Sequence, residues 1–264
     1  MYRGQSVAVV MPVHNEETHI EPAIKRVPAF VDLIVAVDDG STDDTWKVLG
    51  RLTDKRLTTV RHRTNRGVGA ATKTGYRIVL NSQIDLIAVM DGDGQMDGRD
   101  LADLLDCAIT RADYVKGNRF LDKVSITSMP RLRYLGNRFF SWLARNAAAF
   151  DGSVDAHCGY AVVRNQALKR LALDEMYDRY GFPTEMFFAA RRAGLVVESV
   201  PVKTVYGDEV SGINPYSTIP AILYLIVRGY IRRRRLTKSD ASVLAFPPVV
   251  ADPAEFHLEA HLEA

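Results

Sequence analysis

The feature that most limits the fold is a series of short apolar runs, each followed by polar residues and then by a segment with helical spacing. Such runs lie at residues 6–11, 33–37, 57–61, 86–90 and 114–117. Strands that alternate with helices are joined by right-handed crossovers and usually form a mostly parallel sheet. We therefore predict an α/β fold with a mostly parallel, Rossmann-like sheet flanked by helices.

Helical spacing places the remaining elements. Helices are predicted at residues 20–30, 42–52, 67–80, 101–112, 130–149, 182–193 and 219–235, and further strands at 158–163 and 196–205. Pro201 lies near the centre of the last strand. Because proline cannot donate a ladder hydrogen bond, we expect this strand at or near a sheet edge.

Composition narrows the class of protein. The chain has 264 residues, of which 47% are hydrophobic and 25% charged, as in soluble globular proteins. The formal net charge of +2 is too small to indicate a nucleic-acid partner. Two cysteines, Cys107 and Cys158, make neither a disulfide framework nor a zinc site. With no signal peptide evident, we expect a reduced, cytoplasmic setting.

The segment Asp91-Gly92-Asp93-Gly94-Gln95 follows one of the apolar runs. Two carboxylates two residues apart, just past a strand end, can reach one divalent cation, and Gln95 can add a carbonyl oxygen. Oxygen ligands suit Mg²⁺ or Mn²⁺, which often share them with substrate phosphates. Taken alone, the same residues also suit a simple turn.

Two other strand ends carry matching groups. Asp38 and Asp39 end the second run, where a carboxylate can accept hydrogen bonds from a nucleobase or a ribose. Pro12, His14 and Glu16 follow the first run. The alternatives are helix capping after Asp39 and a favourable helix-terminus charge at Glu16. In a parallel sheet these ends should converge on one site.

A glycine-containing turn, Asn65-Arg66-Gly67-Val68-Gly69, precedes the third helix. Its glycines allow close approach of the backbone to a ligand, and Arg66 with the helix N-terminus favours an anion. It lacks the third glycine of the dinucleotide fingerprint.

In chain order, the segments PVHNE, VDDGSTD, NRGVGAA and MDGDGQ resemble the motifs of the family 2 inverting glycosyltransferases, which have the GT-A fold. The similarity is greatest to the branch of dolichyl-phosphate mannose synthases and polyprenyl-phosphate glucosyltransferases. It covers residues 7–235, and its first hundred residues are specific to the superfamily.

The resemblance implies roles for individual residues. Those implied to bind the nucleotide-sugar are Pro12, His14, Glu16, Asp38, Asp39, Arg66, Gly67, Asp91 and Gly92. The metal ligands would be Asp91, Asp93 and Gln95, holding Mg²⁺ or Mn²⁺. His14 stands where relatives usually have tyrosine, which leaves base preference open.

On the acceptor side, the resemblance assigns catalytic roles to Arg119 and Arg133, which would bind phosphate oxygens, and to Asp93 at the metal. Glu185 resembles an acidic residue that some members place near the acceptor as a base. The alternatives are solvated arginines and an exposed helix carboxylate. Cys158 replaces a usual serine and is expected to pack. The segment 206–213 lacks the Arg and Lys of lipid-phosphate relatives, which leaves Lys203 as one option for the acceptor phosphate.

The predicted helix 219–235 is apolar at first and ends in Arg232 to Arg235. An amphipathic helix with a basic end suits an anionic membrane surface, here the cytoplasmic face. Packing in the core or against a second subunit of a homo-oligomer is the alternative. The apolar stretch is too short to span a bilayer.

These expectations combine into one hypothesis. Residues 1–205 form the GT-A catalytic domain, with a donor half at about 1–120 and an acceptor half at about 121–205. Residues 206–238 form an acceptor-side loop and the basic helix, and 239–264 a flexible tail. The enzyme would move a hexose from a nucleotide-sugar of the GDP-mannose or UDP-glucose type to polyprenyl phosphate, with inversion.

Other functions stay open. One is transfer to a polysaccharide or other glycan. A nucleotidyltransferase is disfavoured, because PVHNE stands where a glycine-rich phosphate loop is expected. A silent nucleotide-binding module is disfavoured by the intact Asp91, Asp93 and Gln95.

Overall fold

A computed structural model describes residues 1–204 and 215–236. Residues 206–214 of the predicted acceptor-side loop and all of the predicted tail 239–264 lie outside these ranges.

Seven strands form one sheet. In chain order they are β1 (Val7–Val13), β2 (Leu33–Asp38), β3 (Leu57–Arg61), β4 (Leu86–Val89), β5 (Tyr114–Asn118), β6 (Ala161–Arg164) and β7 (Val197–Pro201). The order across the sheet is β3-β2-β1-β4-β6-β5-β7. All pairs are parallel except those of β6, which runs antiparallel to β4 and β5. The predicted mostly parallel α/β sheet is confirmed.

The helices connect and cover the strands. They are α1 (Ile20–Lys25), α2 (Thr45–Leu49), α3 (Val68–Leu80), α4 (Leu101–Thr110), α5 (Lys123–Ser128), α6 (Arg131–Ala147), α7 (Asn165–Leu168), α8 (Phe182–Arg192) and α9 (Pro215–Leu236). Two hydrophobic cores lie on opposite faces of the sheet. Strand β1 shows why: Ala8 and Val10 enter one core, Val9 and Met11 the other, as alternating side chains on a doubly covered strand must.

Two predicted helices are shorter in the structure. Helix α1 ends at Lys25, before Pro28. Helix α2 begins only at Thr45, because the side chain of Asp43 accepts from the Thr45 amide and holds the preceding residues in a turn. Strand β1 continues through Pro12 to Val13. The pairing of β1 with β4 ends at Val10. The missing amide hydrogen of Pro12 therefore costs no hydrogen bond between these two strands.

The second half contains the elements that periodicity did not reveal. Helices α5 and α7 are short, and β6 is antiparallel and begins at Ala161 rather than 158. The edge position of Pro201 is confirmed, because β7 is the last strand of the sheet. Helix α9 packs against α6 and α8.

Candidate active site

The carboxyl ends of the parallel strands border a cleft with two lobes. The first lobe has a volume of about 460 Å³ and the second of about 480 Å³. Glu16, Asp91 and Asp93 line both lobes, so the acidic residues stand at their junction. The three strand ends singled out in the sequence therefore meet, as expected of a parallel sheet.

The first lobe gathers the residues implied to bind a nucleotide. Pro12, His14, Asp39, Gly67 and Gly92 line it together with the shared acids. The Nδ1 atom of His14 is buried and has no hydrogen-bond partner among the residues that the structure describes. An orphaned ring nitrogen at a cavity wall is a group that a ligand can satisfy.

The carboxylate of Asp39 holds together the backbone and side chains around the first lobe. One carboxylate oxygen lies 2.7 Å from Nδ1 of His62 and accepts from the Arg66 amide at 3.0 Å, and the other accepts from the Gly67 amide at 2.6 Å. Burial alone would raise the pKa of Asp39, but these hydrogen bonds outweigh it and lower the pKa. Asp39 thus stays ionised and orders the turn that precedes α3.

The N-terminus of α3 is covered by the chain itself. The carbonyl oxygen of Asp178 accepts from the Ala70 amide at 2.9 Å, and Nζ of Lys73 lies 2.6 Å from the Asp178 carboxylate. Gly67 has a φ of +105°, and a Cβ there would lie 2.6 Å from the Asp178 carbonyl oxygen. The glycine therefore permits approach of the chain, and the geometry does not support an anion site at this helix end.

Two predicted nucleotide ligands lie elsewhere. Asp38 is fully buried, with one oxygen accepting from the Ser41 amide and the other 3.0 Å from Nε of Arg61. It shapes the β2 turn and does not border the cleft. The side chain of Arg66 is exposed and borders neither lobe. Only its backbone amide participates, through Asp39. Neither side chain borders the cleft, and a role of these two residues in nucleotide binding stays a prediction.

The acidic junction has the electrostatics of a cation site. Burial, followed by the nearby charges of Asp93 and Glu16, raises the pKa of Asp91 to about 8. Carboxylates that repel one another in this way are stabilised in the ionised form by a bound cation. The amide of Gln95 donates to Asp93 at 2.9 Å, which fixes the turn, and Gln95 borders the second lobe.

This donor set fits one kind of metal. In the described ranges, no group of three or more His, Cys, Asp and Glu side chains is arranged to hold a metal. Two carboxylates and an amide oxygen suit Mg²⁺ or Mn²⁺, which keep other positions for water and substrate phosphate. They do not suit a closed structural zinc site.

The second lobe is built around Arg119. Its Nε and Nη2 atoms lie 2.6 and 3.1 Å from the two carboxylate oxygens of Asp155, in a bidentate pair with both residues buried. Burial would raise the pKa of Asp155, but the guanidinium group outweighs it and lowers the pKa. The pair orients a permanent positive charge at the lobe wall, close enough to Asp91 to oppose the rise of its pKa.

His157 borders the same lobe and was not singled out in the sequence. Its Nδ1 atom lies 3.1 Å from the Thr184 hydroxyl, which itself donates to the Ala156 carbonyl at 3.1 Å. Its Nε2 atom is buried and has no hydrogen-bond partner among the described residues. Burial lowers the pKa of His157 to about 4, so the ring is neutral.

Asp155 and His157 were missed because they lie in an irregular segment with no strand or helix periodicity. A usable signal was present in the chain: DAHCGY places two polar side chains just before the Cys158-Gly159-Tyr160 motif. Cys158 packs as expected, and burial raises the pKa of its thiol to about 11. Arg133 and Lys203 also border this lobe.

Glu185 is not placed as predicted. Its carboxylate is 1% exposed and pairs with Arg228 of α9, with Arg192 and Arg232 at 3.9 and 4.0 Å. It borders neither lobe. The neighbouring arginines draw the carboxylate toward α9, so the geometry gives Glu185 a structural position between α8 and α9 and no access to an acceptor.

Comparison with known proteins identifies the family. The model of the family described as glycosyl transferase family 2 matches residues 8–172. An N-acetylglucosaminyltransferase from Methanococcus voltae, named for UDP-N-acetylglucosamine and dolichyl phosphate, is 27% identical over 76% of this chain and 86% of its own. Undecaprenyl-phosphate mannosyltransferase from Micrococcus luteus is 28% identical over 75% and 83%.

The fold has solved counterparts. Glucosyl-3-phosphoglycerate synthase from Mycobacterium tuberculosis, crystallised with Mn²⁺, UDP and glucosyl-3-phosphoglycerate, superposes with a TM-score of 0.58 at 18% identity, covering 91% of this chain and 83% of that one. At this identity the likeness establishes the fold. Since the family model spans well over half of the residues, the chain belongs to glycosyl transferase family 2 and is a glycosyltransferase.

Proposed function

We propose that this enzyme transfers a hexose from a nucleoside-diphosphate sugar to polyprenyl phosphate, with inversion at the anomeric carbon. The observation that carries the proposal is the two-lobed cleft. One lobe has the strand-end residues suited to a nucleotide, the other has Arg119 and Arg133, and the acids Asp91 and Asp93 stand between them. The names of the two curated relatives support the lipid-phosphate acceptor.

The donor nucleotide lies in the first lobe. Pro12 and His14 form one wall, and Gly92 borders the same lobe at the β4 turn. Mg²⁺ or Mn²⁺, held by Asp91, Asp93 and the Gln95 oxygen, supplies charge neutralisation for the leaving diphosphate. Glu16, at the junction, adds to the negative field that attracts the cation.

The acceptor phosphate lies in the second lobe, bound by the guanidinium groups of Arg119 and Arg133. Its oxygen is already ionised, so the reaction needs no general base, which agrees with the position of Glu185. The lobe aligns that oxygen with the anomeric carbon for single displacement, and such alignment accounts for a large part of a transfer barrier. Lys203 borders this lobe as a further cation.

A polyprenyl-phosphate acceptor is embedded in a bilayer, so this proposal includes contact of the chain with a membrane surface, at the cytoplasmic face. No helix in the ranges 1–204 and 215–236 is long and apolar enough to cross a membrane. Homo-oligomer formation stays a prediction.

The direct test is sugar transfer to a polyprenyl phosphate from a panel of UDP- and GDP-sugars with Mn²⁺ or Mg²⁺, followed by mass spectrometry of the lipid. Replacing Asp93 with Ala should reduce transfer roughly 10²- to 10³-fold, the scale for removing one electrostatic stabiliser. The matched control is Asp103→Ala, on the exposed face of α4, which should keep wild-type transfer and thermal stability. Transfer to a glycan with none to the lipid would contradict the proposed acceptor.

A further inference from the structure

Helices α6 and α9 carry apolar stripes that nothing in the described chain covers. On α6 the exposed side chains recur at three- and four-residue spacing, which places them on one face: Leu132, Leu135, Phe139 and Trp142. On α9 the corresponding residues are Ile219, Leu223, Val227 and Ile231. We call these residues the α6–α9 face. The inner sides of both helices are used in packing, with Ala144 of α6 and Leu225 of α9 fully buried.

The charge of the two helices has a single sign. Neither contains an Asp or Glu, and together they contain nine arginines, namely Arg131, Arg133, Arg138 and Arg145 on α6 and Arg228 and Arg232 to Arg235 on α9. Two of these are drawn inward: Arg228 pairs with Glu185, and Arg232 lies within 4.0 Å of it. Apolar side chains bordered by cations of one sign complement an anionic lipid surface.

The exposed aromatic residues fit an interfacial position. The rings of Phe139 and Trp142 stack with centroids 6.3 Å apart, and both are about half exposed. Tyr230 lies beneath the guanidinium groups of Arg233 and Arg234, at 5.7 and 5.1 Å from the ring centroid. Amphipathic rings of this kind favour the headgroup level of a bilayer.

The same helices open onto the cleft at their first turns. Pro130 and Arg133, at the start of α6, border the second lobe, and Ser217 and Thr218, at the start of α9, border the first. A surface formed by the bodies of α6 and α9 therefore adjoins both lobes. A phosphate at the membrane surface reaches Arg133 without crossing the protein.

We propose that the α6–α9 face is the surface by which the enzyme docks on an anionic lipid bilayer, with α6 contributing as much as the basic α9. The inference rests on the proposed function in one respect, since a lipid-phosphate acceptor explains why the enzyme would dock on a membrane. The docking itself is argued from the exposed apolar residues and arginines of the two helices. A second copy of the chain is the disfavoured occupant, because bringing two such faces together would oppose arginine to arginine.

The test is sedimentation with vesicles of phosphatidylcholine, with and without phosphatidylglycerol. We expect wild-type protein to sediment with the anionic vesicles and to be released by salt, since exposed charge is screened. The variant Leu135→Ser/Trp142→Ser should lose roughly tenfold or more in partitioning, because two apolar side chains no longer enter the lipid. Arg234→Ser/Arg235→Ser should lose roughly fivefold for each arginine.

Matched controls lie far from this face. Val196, about as exposed as Trp142, precedes β7 at the end of the sheet opposite the cleft, and Val196→Ser should bind vesicles like wild type. Arg51→Ser/Lys55→Ser removes the same charge between α2 and β3, and it should also bind normally. All variants should keep the wild-type melting temperature, because every substituted side chain is exposed.

Equal sedimentation of the Leu135→Ser/Trp142→Ser variant and wild type would overturn the proposal. The proposal would also be overturned if wild type forms a dimer and does not bind vesicles, while the Leu135→Ser/Trp142→Ser variant is a monomer. Transfer to a short, water-soluble prenyl phosphate separates the two ideas. If wild type docks but transfers sugar to neither acceptor, the proposed function fails and the docking surface stands.

Discussion

At the scale of single residues, His157 shows how burial makes a titratable group sensitive to acid. It lies at 8% exposure beside the Arg119–Asp155 pair, and burial lowers its pKa to about 4. An unfolded histidine has a pKa of about 6.5. The His157 ring therefore binds fewer protons in the folded state between these two values, and its contribution to stability rises with pH across that window.

We therefore predict that the contribution of His157 to the free energy of unfolding, measured as the value for wild type minus that for His157→Asn, falls by about 3 kcal/mol as the pH is lowered from about 6.5 to about 4. The raised pKa of Asp91 acts in the opposite direction, but it does so in both proteins. The stability from this group is fully present above the unfolded pKa and is lost as the pH falls through the folded one. Denaturant titrations across this range measure it. His157→Asn has no titrating ring and should lack this contribution, so a difference between wild type and variant that does not change with pH would contradict the assignment.

Individual residues also show what a sequence can reveal about a site. Asp91 and Asp93 were identifiable because they follow an apolar strand directly. Asp38 and Asp39 were both predicted to bind the nucleotide, yet only Asp39 borders the cleft. Adjacent residues near a strand end point to opposite faces of the sheet. Which of the two borders the cleft depends on where the loop that contains Gly67 passes the end of β2. That tertiary contact has no local sequence signal.

At the scale of elements, Glu185 joins α8 to α9. Its carboxylate is buried among Arg192, Arg228 and Arg232, and Phe182 and Met186 on the same helix border the cleft. Breaking a buried ion pair by removing one partner leaves an uncompensated charge and is strongly destabilising. The residue therefore matters for packing of the basic helix.

We predict that Glu185→Gln lowers the free energy of unfolding by about 3 kcal/mol. The KM for the nucleotide-sugar should change less than about twofold, because the side chain borders neither lobe. Glu175→Gln is the matched control: that carboxylate is 65% exposed and lies 3.7 Å from Arg232, so it should cost under about 0.5 kcal/mol. A large loss of turnover in Glu185→Gln, with wild-type stability, would restore the catalytic assignment.

Elements of the first half were predictable because β1 to β4 are apolar runs broken by turn residues. The antiparallel β6 was not, since AVVR has only four residues and its direction depends on pairing with β4 and β5. Helix α9 was foreseen in position. The two alternatives for this helix were contact with a membrane and packing against the protein. The helix has a side for each, because Leu225 is buried while Val227 is 55% exposed.

At the scale of the whole molecule, the cleft joins residues from both halves of the chain through a junction of negative charge. In the described ranges, no group of three or more His, Cys, Asp and Glu side chains is arranged to hold a metal, so a cation there would have few protein ligands and would depend on the substrate diphosphate for the others. Metal and nucleotide should therefore bind cooperatively.

We predict that Mn²⁺ alone raises the melting temperature only slightly, and that Mn²⁺ with UDP or GDP raises it by more than the two separate shifts added together. Differential scanning fluorimetry provides the measurement, and binding linkage gives the reason. In Asp93→Ala the cooperative increment should vanish, while any shift from nucleotide alone is retained. A full shift with Mn²⁺ alone would indicate a complete metal site in the protein.

The position of β4 has a consequence for synthesis on the ribosome. The DGDGQ turn follows this strand. In the sheet, β4 lies between β1, which is synthesised earlier, and β6, which begins at Ala161, 72 positions after the last residue of β4. Until β6 emerges, one edge of an entirely apolar strand is unpaired, which is a template for aggregation. The nascent chain therefore needs this edge of β4 to be shielded from other chains until β6 has emerged.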